Sequence, residues 1–158
     1  MSTVLQMIEL RTGGVADLPL VDSIMMAAFE PRFGEAWTRN QCLGILALPG
    51  VWLTMATLDG APAGFALCRL IADEAELLLL ATVPAMRRRG VAAALLRSVV
   101  ADSVGQGARK LHLEVREGND AIKLYQSTAF IKVGERRNYY RGTTGQSFHA
   151  FTYSRELP

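Results

Sequence analysis

Residues 76–100 read ELLLLATVPAMRRRGVAAALLRSVV, and the order of events in this stretch decides the class of fold. The run from 76 to 83 is apolar without alternation, and Pro84 closes it. A strand with no polar side is normally a central one, covered on both faces. From 91 to 104 the stripe Ala92, Leu95, Leu96, Val99 and Ser103 follows the helical period, and Gly105 and Gly107 end the helix. MRRRG joins the two, so a buried strand passes through a basic turn into a helix start. The first turn of a helix leaves its N–H groups without helical acceptors and carries partial positive charge. Gly90 lets a ligand approach the main chain, and Arg87, Arg88 and Arg89 add charge and forked donors. These are the features of a phosphate seat; a solvated basic turn is the other reading of the same residues. The stretch is neither a P-loop, since no GK[ST] follows, nor a dinucleotide fingerprint, since GxGxxG is absent.

Outward from this centre, helical periods cover 15–29 and 37–48, broken by Pro31 and by Pro49-Gly50. Strands are expected at 51–58 and 63–71, joined by a hairpin at Asp59-Gly60. On the far side, 110–116 alternates as a strand and Asn119-Asp120 caps a short helix through Gln126. Strands at 130–137 and 148–155 complete the chain, and Asn138 to Arg141 read as a polar, aromatic loop. Hairpins followed by strand–helix–strand units give an α/β (α+β) fold with a central, mixed, mostly antiparallel sheet flanked by helices.

The chain has 158 residues, a length of about one domain, taken as 1–158, and long enough to bury a core without staples. A net charge of +2 is too small for generic nucleic-acid binding. Cys42 and Cys68 stand alone in apolar surroundings, which excludes a disulfide framework or zinc ribbon and predicts two buried thiols. His112 and His149 have no metal partners at ligand spacing, so no metal is expected. No run reaches the roughly 18 apolar residues that cross a bilayer, and 1–12 lacks a signal-peptide pattern. No membrane partner is expected, and the expected setting is the reducing cytoplasm.

Three stretches together carry a resemblance. The hexad Arg87-Arg88-Arg89-Gly90-Val91-Ala92 after a central strand is similar to the [QR]-x-x-G-x-[GA] pyrophosphate loop of the GNAT N-acetyltransferase superfamily. LEVREGNDAIKLYQSTAF at 113–130 resembles that superfamily's LEVRxxN…AIxLYxxxGF. RRNYY at 136–140 resembles one branch, the bacterial RimI-type ribosomal-protein-alanine N-acetyltransferases. The resemblance implies a GNAT-like acyl-CoA N-acyltransferase fold and acetyl-CoA as cosubstrate. It implies direct acetyl transfer to the N-terminal alanine of a ribosomal protein, small-subunit protein eighteen. It further implies that the main chain of Leu80, Ala81 and Thr82 holds the pantetheine arm, that residues 87–92 hold the pyrophosphate, and that Asn119 contacts the cofactor. Glu114 falls on the general base and Tyr125 on the general acid. Trp37, Asn138, Tyr139 and Tyr140 fall beside the acceptor peptide.

Read as residues, these positions have plainer alternatives. Alternation puts Glu114 and His112 on the less apolar face of their strand, where a carboxylate can simply be solvated or salt-bridged. Tyr125 reads equally as a core aromatic and Asn119 as a helix cap. The chemistry nevertheless suits the types. A peptide α-amino group titrates near 8, within reach of a carboxylate acting through water, and a tyrosine can protonate a departing thiolate. The segment Asn119 to Tyr125 is one residue shorter than the family pattern. A residue lost inside the helix turns Tyr125 by about 100°, whereas a loss in the preceding loop is absorbed. Two other functions stay open: acetylation of a small-molecule amine, and a non-catalytic acyl-CoA-binding module.

Overall fold

The computed structural model describes residues 6–158; the first five residues of the N-terminal stretch read for a signal peptide lie outside them. In chain order the elements are β1 (Ile8–Thr12), α1 (Leu18–Ala28), α2 (Arg39–Leu46), β2 (Val51–Leu58), β3 (Ala61–Ile71), β4 (Glu74–Thr82), α3 (Val91–Gly105), β5 (Lys110–Arg116), α4 (Ala121–Ser127), β6 (Ile131–Arg141) and β7 (Ser147–Glu156). One sheet runs β1-β2-β3-β4-β5-β7-β6. Neighbours are antiparallel except β4 and β5, which are parallel, so the expected mixed sheet is present. At the β2–β3 hairpin Asp59 and Gly60 both take positive φ, 51° and 80°, the sense that matches strand twist.

The leucine run of β4 is apolar throughout because the strand changes faces. Leu67 pairs with Leu79 and Cys68 with Leu77, which leaves Leu78 as an extra residue, a β-bulge. Before it, Ala75 and Leu77 join the core formed with Leu95 and Val99 of α3 and Tyr125 of α4. After it, Leu79 and Ala81 join the second core, with Val21, Ile24 and Met25 of α1 and Cys42 of α2. Strict alternation would have sent all four side chains to one face.

β4 and β5 pair only from Glu74–Lys110 to Leu77–Leu113. Beyond that point each keeps a partner on its outer side alone, β3 for Leu79 to Thr82 and β7 for Glu114 to Arg116. The sheet therefore opens at its midline, and the inner main-chain edge of β4 has no strand partner among the described residues.

The differences from expectation have local causes. β1 went unforeseen because its five residues, IELRT, contribute only two apolar side chains to any alternation. The second helix starts at Arg39 rather than Trp37, because Thr38 caps it: the Thr38 hydroxyl accepts the Gln41 amide, and the Gln41 side chain returns to the Thr38 amide. Residues 138–141 are strand, not loop. β6 runs on to Arg141 through an irregular register, with Arg136 opposite Ala150 and Tyr140 opposite Phe148. Cys42 and Cys68 are buried thiols, as expected.

Gly64 on β3 sets how closely α3 approaches the sheet. A Cβ there would overlap the Ala81 carbonyl oxygen and press on Leu95 and Val91 at 3.3 Å. The Gly64→Ala variant is expected to lose about 1–3 kcal/mol. Urea unfolding should show a lowered midpoint at unchanged slope.

Candidate active site

Two cavities occupy the opening between β4 and β5. The larger, a cleft of about 710 Å³, runs from the start of α3 to the start of α4 and is lined by Thr82, Arg87, Arg88, Gly90, Val91 and Ala92 among others. Gly90, at φ 86°, is the N-cap of α3, and its carbonyl accepts the first helical bond, from the Ala94 amide at 2.9 Å. The amides of Val91, Ala92 and Ala93 precede that bond, and these residues line the cleft. Arg87 also donates from Nη2 to the Ala28 carbonyl at the end of α1, at 2.9 Å, which pins the turn. Arg89 is exposed and lines neither cavity. Main-chain donors, two guanidinium groups and an open strand edge fit a phosphorylated ligand with an amide-bearing arm.

The smaller cavity, about 150 Å³, lies between the parted strands and is lined by Trp37, Leu78, Glu114, Tyr125, Tyr139 and Tyr140 among others. Glu35, Leu80, Asn119 and Ala121 line both cavities, so the two meet there. Ala81, between Leu80 and Thr82, turns its side chain into the core, as alternation requires.

Each oxygen of Glu114 has a partner. Arg136 Nε forms an ion pair with Oε1 at 3.0 Å, and the Thr152 hydroxyl donates to Oε2 at 2.8 Å. The Glu114 side chain is 14% exposed, and Glu114 lines the pocket. Tyr125 is buried and packs edge-on against Phe130, ring centres 5.7 Å apart. Burial above all, then the Glu35 carboxylate, pushes its hydroxyl well above the usual tyrosine range, so it stays protonated. Tyr140 is shifted the same way, first by burial, and its hydroxyl donates to the Glu114 carbonyl at 3.4 Å. The register slip in β6 brings two consecutive tyrosines to one pocket. Asn138, at φ 53°, takes up the slip with its amide on His149 Nδ1 at 3.0 Å, and it lines neither cavity.

Asn119 serves as a cap and also lies at the junction. Its amide closes a turn on the Arg116 carbonyl at 3.1 Å, with Gly118 at φ 79° inside it. Its Oδ1 accepts the Ala121 amide at 2.8 Å. α4 begins only after this turn, and Tyr125 shares a pocket with Glu114.

Two carboxylates of the pocket have no role assigned from sequence, although Glu35 stands beside Trp37 in the stretch expected near the acceptor. Glu35 accepts from Arg116 Nε at 2.9 Å and from Asn119 Nδ2 at 2.8 Å. Glu76 pairs with Arg69 at 3.1 Å and His112 at 3.5 Å. Partners 81 residues apart leave no local pattern for Glu35. His112 and Glu76 are opposite each other in the β4–β5 register and could have been found by aligning the two strands.

The model of the acetyltransferase (GNAT) family matches residues 18–130. The [ribosomal protein bS18]-alanine N-acetyltransferase of Escherichia coli strain K12 is 40% identical over 91 residues, 57% of this chain and 62% of that protein. A Haemophilus influenzae protein of the same name is 38% identical over 82 residues, 52% of this chain and 56% of its own. The chain thus spans less than two thirds of the length of these curated relatives. The crystal structure of the ribosomal-protein-S18-alanine N-acetyltransferase from Escherichia coli superposes with TM-score 0.85 at 29% identity, covering 96% of this chain and 94% of that one. Arabidopsis thaliana NAA60 in complex with acetyl-CoA shares the fold, with TM-score 0.80 at 22% identity over 96% of this chain and 99% of that one.

The Glu76–His112 pair makes stability depend on pH. The hydrogen bond to Glu76, against the cost of burial, raises the His112 pKa, and the bond from His112 lowers that of Glu76. A raised histidine stabilises fully below its ordinary value near 6.5 and loses this as pH climbs through the folded value. A lowered carboxylate stabilises above its ordinary value near 4.3 and loses this as pH falls through the folded value. The contribution of the pair is therefore expected to peak between about pH 4.3 and 6.5. Urea midpoints of the wild type minus those of His112→Gln, measured from pH 5 to 9, should shrink above that window.

Proposed function

Because the chain belongs to the acetyltransferase (GNAT) family, we propose that it is an acetyl-CoA-dependent N-acetyltransferase whose acceptor is the N-terminal alanine of ribosomal protein bS18. The observation that carries this reading is the junction. A cleft suited to a diphosphate and a pocket holding a carboxylate and a protonated tyrosine meet at Leu80 and Asn119, between strands that have parted. The activity for which the Escherichia coli relatives are named supports the choice of acceptor. So does the RRNYY stretch, whose two tyrosines border the pocket. Such an acceptor is met in the cytoplasm, where two free thiols stay reduced.

In this reading the amides of Val91 to Ala93, with Arg87 and Arg88, bind the diphosphate. Arg89 adds charge to the approach, and Asn119 borders the bound cofactor. The open edge of Leu80 to Thr82 pairs with the amides of the pantetheine arm, as an added strand does. Bound there, acetyl-CoA supplies a thioester carbonyl and a thiolate leaving group. Trp37, Tyr139 and Tyr140 flank the incoming peptide. Asn138 acts on it only indirectly, by holding the slip that presents both tyrosines. Glu114 takes a proton from the amine, directly or through one water, and Arg136 and Thr152 keep its carboxylate in place. Tyr125 gives its proton to the departing sulfur. Cys42 and Cys68 are buried and line neither cavity, so no thiol of the chain stands in for the acceptor amine.

Intact-mass measurement after incubation with acetyl-CoA tests the reading directly. An alanine-first bS18 peptide should gain one acetyl group, and transfer to free small amines but to no such peptide would reject the acceptor. Glu114→Gln should lower kcat by about 10²–10⁴ and leave acetyl-CoA affinity nearly intact. Arg88→Ala should weaken acetyl-CoA binding about tenfold, measured calorimetrically, and spare kcat at saturation.

A further inference from the structure

Glu35 belongs to no motif, yet it lines both cavities, and each of its oxygens has one donor, Arg116 Nε on Oε1 and Asn119 Nδ2 on Oε2. The Glu35 and Arg116 side chains are 10% and 11% exposed. A pair this buried adds little net stability, since desolvation offsets the attraction. Its geometrical effect is larger. Asn119, held through Nδ2, uses Oδ1 to accept the amide of Ala121, the first residue of α4. With seven residues α4 is too short to persist by its own propensity, so its direction follows whatever fixes its first turn. Tyr125 lies one turn along that helix.

The segment that carries Glu35 is itself held on the acceptor side. Gly34 lies so close to the Arg141 main chain, and Gly142 to that of Arg32, that a Cβ at either would overlap a carbonyl. The Thr143 amide donates to the Pro31 carbonyl at 3.2 Å, and the Arg116 guanidinium lies 3.7 Å from the centre of the Phe33 ring.

We infer that Glu35 is a positioning residue: by holding Asn119 from the acceptor side, it sets the first turn of α4 and so the bearing of Tyr125 at the junction of the two cavities. This rests on the reading of Tyr125 as the acid. The wall that shapes the amine's entry and the helix that bears the acid then move as one body. The Glu35 charge also adds to the effect of burial that keeps the Tyr125 hydroxyl protonated; Cys68 of β3 acts in the same sense, and Tyr140 and Glu114 share the Tyr125 pocket.

The test uses amide hydrogen exchange beside kinetics. Glu35→Gln keeps the shape, removes the charge and sets one amide group against another at Asn119. The Ile122 and Lys123 amides bond to the carbonyls of Asn119 and Asp120, and their exchange should speed up about tenfold. At saturating substrates kcat should fall about ten- to a hundredfold, with the KM for acetyl-CoA held within about threefold. Combining Glu35→Gln with Asn119→Asp rebuilds the link with donor and acceptor exchanged. The glutamine amide then donates to the introduced carboxylate, whose other oxygen still accepts the Ala121 amide. The exchange of both amides should return to within about threefold of wild type. Should Glu35→Gln fail to fold, Glu35→Asp keeps the charge, is one methylene short of Asn119, and should speed the same two amides. A lowered melting temperature with unchanged α4 exchange and unchanged kcat would overturn the inference. A raised acceptor KM that the double variant does not repair would also overturn it, since Glu35 would then be touching the amine. If the wild type acetylates no amine, the proposed activity falls, and the exchange measurements alone decide whether Glu35 positions α4.

Discussion

The cleft and the pocket both exist because β4 and β5 stop hydrogen bonding after Leu77 and Leu113. Main-chain groups in a protein interior are nearly always paired, so an open strand edge in the middle of a sheet is costly unless water or a ligand meets it. The Leu78 bulge comes where the pairing ends. A bulge bends its strand and raises the local twist, which carries β4 away from its parallel neighbour. It also moves the side chains of Leu79 and Ala81 to the α1 side, so the departing strand still buries them. One extra residue thus opens the site and keeps the two cores closed.

Around this opening the polar groups are paired among themselves. Glu35 with Arg116, Glu76 with Arg69 and His112, and Glu114 with Arg136 are three carboxylates of one pocket, each with its own cation. Such pairs hold geometry more than they stabilise, because desolvation offsets most of their attraction. Partner exposure separates them. Arg116 is nearly buried, whereas Arg136 is 61% exposed, so the Glu114 pair is the more screened and the more easily exchanged for another contact. A fixed Glu35 beside a less tightly bound Glu114 suits the roles proposed for the two carboxylates.

The sheet was legible wherever a residue pattern repeats or a turn needs a particular residue. The Asp59-Gly60 hairpin, the apolar β4 and the alternation of β5 each carry their own signal, and the turn into α3 carries a phosphate-seat pattern as well. Three features were not legible. The Leu78 bulge inside a run of leucines changes no local pattern. The slip in β6 depends on what β7 presents, so Asn138 to Arg141 looked like a loop when read alone. Glu35 meets Arg116 and Asn119 only through the fold, across more than eighty positions. Sequence periodicity reports which side a residue faces, and such long-range pairings decide what it meets there.

The division of labour between main chain and side chains explains why the two halves of the site differ in legibility. In the cleft, the groups on offer are the amides that start α3 and the edge of β4, and a main-chain donor needs only the right backbone conformation, here Gly90 in the left-handed region. That requirement leaves a short local pattern in the sequence. In the smaller pocket, Trp37 arrives from the turn before α2, Tyr139 and Tyr140 from the slipped strand, and Glu114 from β5. Four side chains from three separate segments converge with no fixed spacing. A substitution among them can reshape the pocket without disturbing the cleft, except through Asn119, where the cap of α4 and the wall of both cavities are the same residue.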